Sequence, residues 1–318
     1  MQITSARFCS NRILCPFFAV SNRVLFIVNP FSGKRIGEKT AKTIAEKLSH
    51  NSAVSEIFVS HNLTELNAFV GSTNLNDFGW IGIIGGDGTM HGFMNAALNA
   101  YGSVNPPLAL FPCGTGNAFN FDIGCATVDE TLACVLQNRT SYIDVAEVTY
   151  ENGERLWSFN ILGCGLVADI NRLAEKWRWL GGMRYNVASV IKLLGNPVQE
   201  YEITTDNDRF SGKYSFMLAC NTRYTGKGMM MAPHAELNDG KFDIILVKAC
   251  SAFKLLTLFP KIFKGQHLGA DVLSYLQTSS LSIISKNGPQ QSNIDGEMKG
   301  QTPFRFIVHK NKVRVFVK

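Results

Sequence analysis

The sequence predicts an α/β protein, with a doubly wound parallel sheet at the N-terminal end and a β-sandwich after it. Three observations carry that reading. The first third alternates short apolar, β-branched runs with amphipathic stretches. Three of those runs end in glycine-containing turns. Beyond about residue 140, strand patterns follow one another with only two helical interruptions. Repeated β–α units build parallel sheets with helices on both faces, and serial strands joined by Gly, Asn and Asp turns read as a sandwich.

The elements follow in order. RVLFIVNP (23–30) is almost wholly apolar and ends in Asn-Pro, the pattern of a strand buried on both faces. A helix is expected from Gly37 to Leu48, a second strand at 54–60 and a second helix at 63–70. WIGII (80–84) reads as the third strand, MHGFMNAALNA (90–100) as the third helix and LALFP (108–112) as the fourth strand, with a helix after the glycines near 116. The later strands include SYIDVAEVTY, LWSFNILG, YSFMLACN, KFDIILVKA and KVRVFVK, interrupted by helical stretches near 166–194 and 251–264.

Composition bounds the function. The 318 residues are 46% hydrophobic and 18% charged, a folded globular composition with room for about two domains. A net charge of +6 favours an anionic partner such as ATP or an anionic membrane surface. There is no Lys/Arg tract of the kind nucleic-acid arms use, so no nucleic-acid partner is expected. The eight cysteines show no CxxC spacing and read as reduced thiols without a zinc site. In residues 1–22 two arginines precede ILCPFFAV, which is too short and holds a proline, so this leader is expected to be a disordered start rather than a signal peptide. No stretch has the roughly 18 apolar residues of a transmembrane helix.

The chemistry concentrates in the turns. NPFSGK (29–34), GGDGT (85–89) and PCGTGN (112–117) each follow a strand. Strand C-terminal ends of an open α/β sheet share one edge, so all three turns converge on one crevice. There, glycines let backbone amides approach phosphate oxygens. Glu38 stands where GxxxxGK[ST] needs its second glycine, and Phe119 where GxGxxG needs its third. An ordinary NTPase loop and an ordinary dinucleotide fold are thereby excluded. Asp87 lies among the glycines, where it either caps the helix expected near Met90 or does chemistry. IDGE (294–297) carries Asp295 and Glu297 about a glycine, and LNDGKF carries Asp239; by themselves both are β-turns. Leu166, Ile170, Leu173, Trp177 and Leu180 form one apolar helical stripe beside Asp169, a charge that either finds a partner or complements the helix dipole. Arg178 and Arg184 follow on the same stretch, where arginines are most often solvated. SAFKLLTLFPKIFKG (251–265) is a core-packing helix containing Pro260 or, alternatively, an interfacial one.

Together VNPFSGK, GGDGTMHGFMNAAL, PCGTGNAF, MAPHAELNDGKFDIILV and IDGE resemble the catalytic region of the diacylglycerol and sphingosine kinase family. The resemblance runs from about residue 23 to the C-terminus. It implies an ATP- and Mg²⁺-dependent lipid kinase, cytoplasmic and peripheral at a membrane, with an ATP-binding α/β domain at 23–138. A lipid-binding β-sandwich domain follows at 139–318, its last strands free to return to the first sheet. It further implies that Asn29, Ser32, Gly33, Ser60, Gly85, Gly86, Gly88, Thr89, Gly114, Thr115 and Asn117 surround ATP. Asp87 then accepts the lipid hydroxyl's proton or helps hold Mg²⁺, with Glu297 as the other candidate base. Asp295 reaches the nucleotide and metal, and Asp239 the metal or its supporting network. Residues 162–185 are similar to the sphingosine and ceramide kinases, which implies that Asp169 contacts a sphingoid headgroup and that Arg178 and Arg184 reach the phosphates. Gly92 departs from the glutamate expected there, so a nucleotide-side contact is expected to be missing. The alternatives are an NAD kinase, which shares GGDGT, and a relative that binds without catalysing. The oligomeric state is left open.

Overall fold

The computed structural model describes residues 22–33, 35–49, 53–114, 116–177, 184–195, 198–226 and 228–318. Residues 1–21 of the leader, Thr115 and Arg178 lie outside these.

The N-terminal part runs β1 (Arg23–Val28), α1 (Gly37–Ser49), β2 (Val54–Val59), α2 (Leu63–Ser72), β3 (Trp80–Gly85), α3 (Asp87–Tyr101), β4 (Val104–Pro112), α4 (Ala118–Asp122) and α5 (Val128–Leu136). Every residue of β3 is buried, as a strand covered by helices on both faces requires. The helix α1 buries Ala41, Ile44 and Leu48 at spacings of three and four, and α5 starts with a capping box between Thr127 and Glu130. The strands pair in parallel in the order β2-β1-β3-β4. The order reverses between β1 and β3, so a crevice opens outside their carboxyl ends. The helix α3 begins three residues earlier than its apolar pattern suggests, and this places Asp87 in its first turn.

The chain continues through β5 (Thr140–Tyr150), β6 (Arg155–Ser158), β7 (Ile161–Gly165), α6 (Leu166–Lys176), α7 (Arg184–Gly195), β8 (Gln199–Thr205), β9 (Arg209–Cys220), β10 (Tyr224–Thr225) and β11 (Met229–Met230). It ends with β12 (Phe242–Lys248), α8 (Ala252–Ile262), β13 (Leu273–Thr278), β14 (Ser280–Ser285), β15 (Gln291–Ile294), β16 (Glu297–Gln301) and β17 (Phe304–Phe316). These antiparallel strands form a sandwich-like second part around Val148, Leu162, Tyr201, Met217, Ile244 and Phe306. The stretch expected as one helical insert is two helices, α6 and α7, and the Trp177 backbone closes the first.

The two parts share strands. β17 pairs antiparallel with β5 along its length, with β14 near its start, and in parallel with β4 through Val313 and Val315. Its C-terminal half is therefore the fifth strand of the parallel sheet.

Candidate active site

The three glycine turns meet, as their positions on successive strand ends require. Asn29 donates its side-chain N–H to Thr89 Oγ1 at 3.2 Å, tying the end of β1 to the start of α3. A methyl group on Gly33 would fall 2.1 Å from the Cys113 carbonyl oxygen. One on Gly114 would fall 2.5 Å from the Cα of Gly86 and 2.8 Å from Asn117 Oδ1. Ser32 lies in the first turn, its N–H donating to the Asn29 carbonyl. Backbone meets backbone in this cluster, and only glycine permits that approach. Gly85, by contrast, accommodates Thr89, whose hydroxyl would lie 2.2 Å from an added methyl.

Asp87 does not cap its own helix. The N-cap of α3 is Gly86 and makes no side-chain cap bond. The Asp87 carboxylate instead accepts the N–H groups of Ala118 at 2.9 Å and Phe119 at 3.3 Å, the first amides of α4. One acidic side chain thereby joins the second turn to the helix after the third. Its burial pushes the carboxyl up from the ordinary value, against the two amides, which lower it; the charge of Asp295 adds to the rise. A carboxylate moved this way binds a proton more readily than one in water, which suits a base.

Asp295 arrives from the turn between β15 and β16 with a left-handed φ of 51°. Its Oδ1 accepts from the Ser158 hydroxyl at 2.8 Å and the amides of Asn160 and Ile161 at 3.0 Å each. Its Oδ2 accepts from the Phe159 amide at 3.3 Å and faces His91 Nδ1 at 3.0 Å. Lys299 stands 3.3 Å from the other nitrogen of that ring. Five protein donors hold this 3% exposed residue, so it organises the β6–β7 turn rather than offering free lone pairs. Glu297 is exposed, its Oε1 lying 2.8 Å from where a Gly88 methyl would stand. That places a second carboxylate, solvent-exposed, over the first turn of α3.

From Asp87 a cavity of about 170 Å³ runs into the sandwich side. Asn160, Asn293 and Asp295 line it along with Asp87, and its walls include Leu166 and Ile170 of α6, Phe216 of β9, Met229 of β11 and Phe259 of α8. A smaller chamber of about 40 Å³ shares Phe216, Met231, Phe259 and Ile262 and continues beneath α8 to His267. The helix α8 packs inward through Leu255 and Leu258 while Phe253 stands 77% exposed. The result is an apolar pocket with carboxylates at one end.

The remaining expected residues distribute as follows. Asn117 sits in the cluster in a left-handed conformation; its N–H₂ donates to the Gly114 carbonyl and its Oδ1 is buried without a hydrogen-bond partner among the described residues. Ser60, at the end of β2, commits its hydroxyl to the Asn62 carbonyl instead of to the three turns. Asp169 pairs with Arg172 at 2.5 Å on α6, whose Leu166 and Ile170 line the cavity. Arg184 opens α7. Asp239 accepts the Lys241 amide at 2.9 Å within its own turn, and among the described residues no group of three His, Cys, Asp or Glu side chains is arranged to hold a metal. Gly92 faces α2: a methyl there would lie 2.9 Å from Leu63 Cδ2. Asn160, Thr225 and Met229 also line the cavity and have no sequence signature, because only tertiary packing brings them there.

These residues fit a nucleotide and its magnesium in a particular way. The glycine cluster leaves backbone open where a Cβ would intrude, and the unpartnered Asn117 Oδ1 matches a donor such as a ribose hydroxyl. Asp87 and Glu297 are two carboxylates, and Mg²⁺ is commonly held by one or two of these plus substrate phosphates. The site suits a metal brought with the nucleotide, not an all-protein cage.

The chain matches two family models, the diacylglycerol kinase catalytic domain over residues 23–148 and the YegS C-terminal NAD kinase beta sandwich-like domain over 160–317. It is 26% identical over 265 residues to a diacylglycerol kinase of Mycobacterium tuberculosis, covering 82% of this chain and 84% of that one. It is 25% identical over 291 residues to a diacylglycerol kinase of Bacillus subtilis, covering 90% and 93%. Sphingosine kinase 1 of Arabidopsis thaliana is 22% identical over 312 residues, covering 82% of this chain and 64% of its own. The crystal structure of a diacylglycerol kinase from Bacillus anthracis str. Sterne superposes with a TM-score of 0.68 at 18% identity, covering 93% of this chain and 97% of that one.

Proposed function

We propose a specific reaction from one premise, that the chain belongs to the diacylglycerol and sphingosine kinase family of lipid kinases: it transfers the γ-phosphate of ATP to a primary hydroxyl of a lipid met at a membrane surface. One observation supports this most. Asp87 lies both at the glycine turns, where phosphates would rest, and at the mouth of an apolar cavity, where a lipid would rest.

Phosphoryl transfer needs chiefly positioning and charge neutralisation. The amides of Ala118 and Phe119 orient Asp87, and its raised proton affinity lets it accept the acceptor's hydroxyl proton. Glu297, over the same helix turn, is the other group able to do so. Bound Mg²⁺, held by Asp87 or Glu297 with the nucleotide phosphates, would neutralise charge on the transferred group. The apolar walls would sequester the acyl chain and exclude water from the carboxylate.

A sphingoid base stands ahead of diacylglycerol as the acceptor. Asp169 lies one helical turn from Leu166 on the cavity wall, and its pairing with Arg172 is the exposed kind that an ammonium headgroup could replace at little cost. Gly92 gives no support to a catalytically silent relative, since its missing side chain would point at Leu63.

The test is transfer of labelled γ-phosphate to sphingosine, ceramide, diacylglycerol and monoacylglycerol in mixed micelles, with NAD as a soluble acceptor. Label on sphingosine, lost in Asp87→Asn and reduced in Asp169→Ala, supports the full reading. Label only on diacylglycerol keeps the kinase and discards the role of Asp169. Label on NAD alone overturns the lipid assignment.

A further inference from the structure

The helix α4 has five residues, yet both its ends are tied to parts of the proposed site. At its start, Ala118 and Phe119 donate to Asp87. At its end, the Asp122 side chain, 3% exposed, accepts three bonds from the other half of the protein: Arg223 Nε at 2.8 Å, the Arg223 amide at 3.2 Å and the Tyr224 amide at 3.1 Å. Arg223 and Tyr224 lead straight into Thr225 and Gly226, which line the apolar cavity, and Met229 lines it from the paired strand β11. The helix itself packs against β10, the Phe121 and Tyr224 rings lying 6.3 Å apart. Phe119 is fully buried and meets Phe159 edge-on at 5.1 Å, so the first turn has little freedom to slide independently.

We infer that Asp122 is a positioning residue: through α4 it locks the catalytic carboxylate to the wall of the cavity, so that a lipid filling the cavity sets where Asp87 stands. The inference rests on the lipid-kinase reading for its activity test and on geometry alone for the rest. A carboxylate accepting from a guanidinium and two amides makes a stronger and more directional anchor than a neutral side chain would. The link is short, and its first turn ends on the reacting group. A displacement of about 1 Å at a reacting group costs on the order of 100-fold in rate.

The experiment compares Asp122→Asn with Arg223→Lys. Expected for Asp122→Asn is a fall in kcat of roughly 10- to 100-fold on the preferred lipid, with ATP affinity within about twofold of wild type. Arg223→Lys, which keeps the cation and both backbone bonds, should retain most of the activity. Hydrogen–deuterium exchange supplies a readout independent of activity. Lipid micelles should slow exchange in both 116–124 and 221–226 of the wild type, but only in 221–226 of Asp122→Asn. An unchanged kcat overturns the inference. So does a joint collapse of kcat, ATP affinity and melting temperature in both variants, which would make Asp122 merely a fold anchor. If the wild type labels no lipid, the functional reading fails by itself, and exchange with ATP and micelles still decides whether the two segments move together.

Discussion

Replacing Gly114 by alanine tests the convergence of the turns most directly. The new methyl would lie 2.5 Å from the Cα of Gly86 and 2.8 Å from Asn117 Oδ1. Carbon atoms in contact sit about 3.5–4.0 Å apart, so the two turns must separate by roughly 1 Å. No rotamer relieves the contact, because the opposing atom is backbone. Gly114 and Cys113 both donate their N–H to the Gly85 carbonyl, so the displacement pulls directly on the residue two before Asp87. A shift of ~1 Å at a positioned group costs about 100-fold, equivalent to ~2.7 kcal/mol of transition-state stabilisation. The assay is kcat/KM for ATP in lipid phosphorylation, with the melting temperature as a fold control. Gly71→Ala, where nothing lies within 4 Å of the new methyl, serves as the matched substitution and should leave the rate unchanged. A folded Gly114→Ala enzyme within threefold of wild type would refute the claim that these turns must touch to work.

Three further outcomes follow from the same geometry. Asp295→Ala takes the carboxylate from His91 and from the buried amides of Phe159 and Asn160 and should cost about 3–5 kcal/mol in urea unfolding; a loss under 1 kcal/mol would show the network to be replaceable by water. Met229→Trp overfills the cavity and should raise the KM for lipid about tenfold, from an overpacking cost of roughly 1–3 kcal/mol, with ATP affinity unchanged. Burial lowers the proton affinity of His267, whose Nε2 faces the Met231 carbonyl at 2.9 Å. The unfolded chain therefore binds a proton first as pH falls below the ordinary value of 6.5, and stability present above that pH is lost below it. The melting temperature of His267→Phe should decline less steeply than that of wild type across this range; parallel declines would contradict the assignment.

Much of the first half was legible because its signals are local. A run such as WIGII followed by GGDGT specifies a buried strand, a turn and a helix start within a dozen residues, and parallel topology then brings strand ends together. The partner of Asp87 was not legible. Asp is a familiar helix cap, but here the turn geometry aims the carboxylate at α4, 31 residues away in sequence. Asp295 likewise looked like a turn residue or a ligand. Its engagement with Ser158, Phe159, Asn160 and Ile161 depends on antiparallel pairing of β15 with β7, which no short pattern encodes. The cavity is less legible still, since α6, α8, β9 and β11 each contribute only one or two residues to its wall. Periodicity did find Leu166 and Ile170, because a single stripe on one helix needs no tertiary information.

The shared strand β17 governs the order in which this protein can come into being. Val313 and Val315 are fully buried between β5 and β4, and the strands beyond β4 in that sheet, β3, β1 and β2, all lie within the first 112 residues. As the chain leaves the ribosome, β4 must wait as an open sheet edge for some 190 residues of synthesis before its neighbour arrives, roughly ten to forty seconds at usual elongation rates. Exposed strand edges invite pairing with other chains. The nascent α/β half is thus the stage at which a chaperone has most to protect, and a truncation removing β17 would leave that edge open permanently.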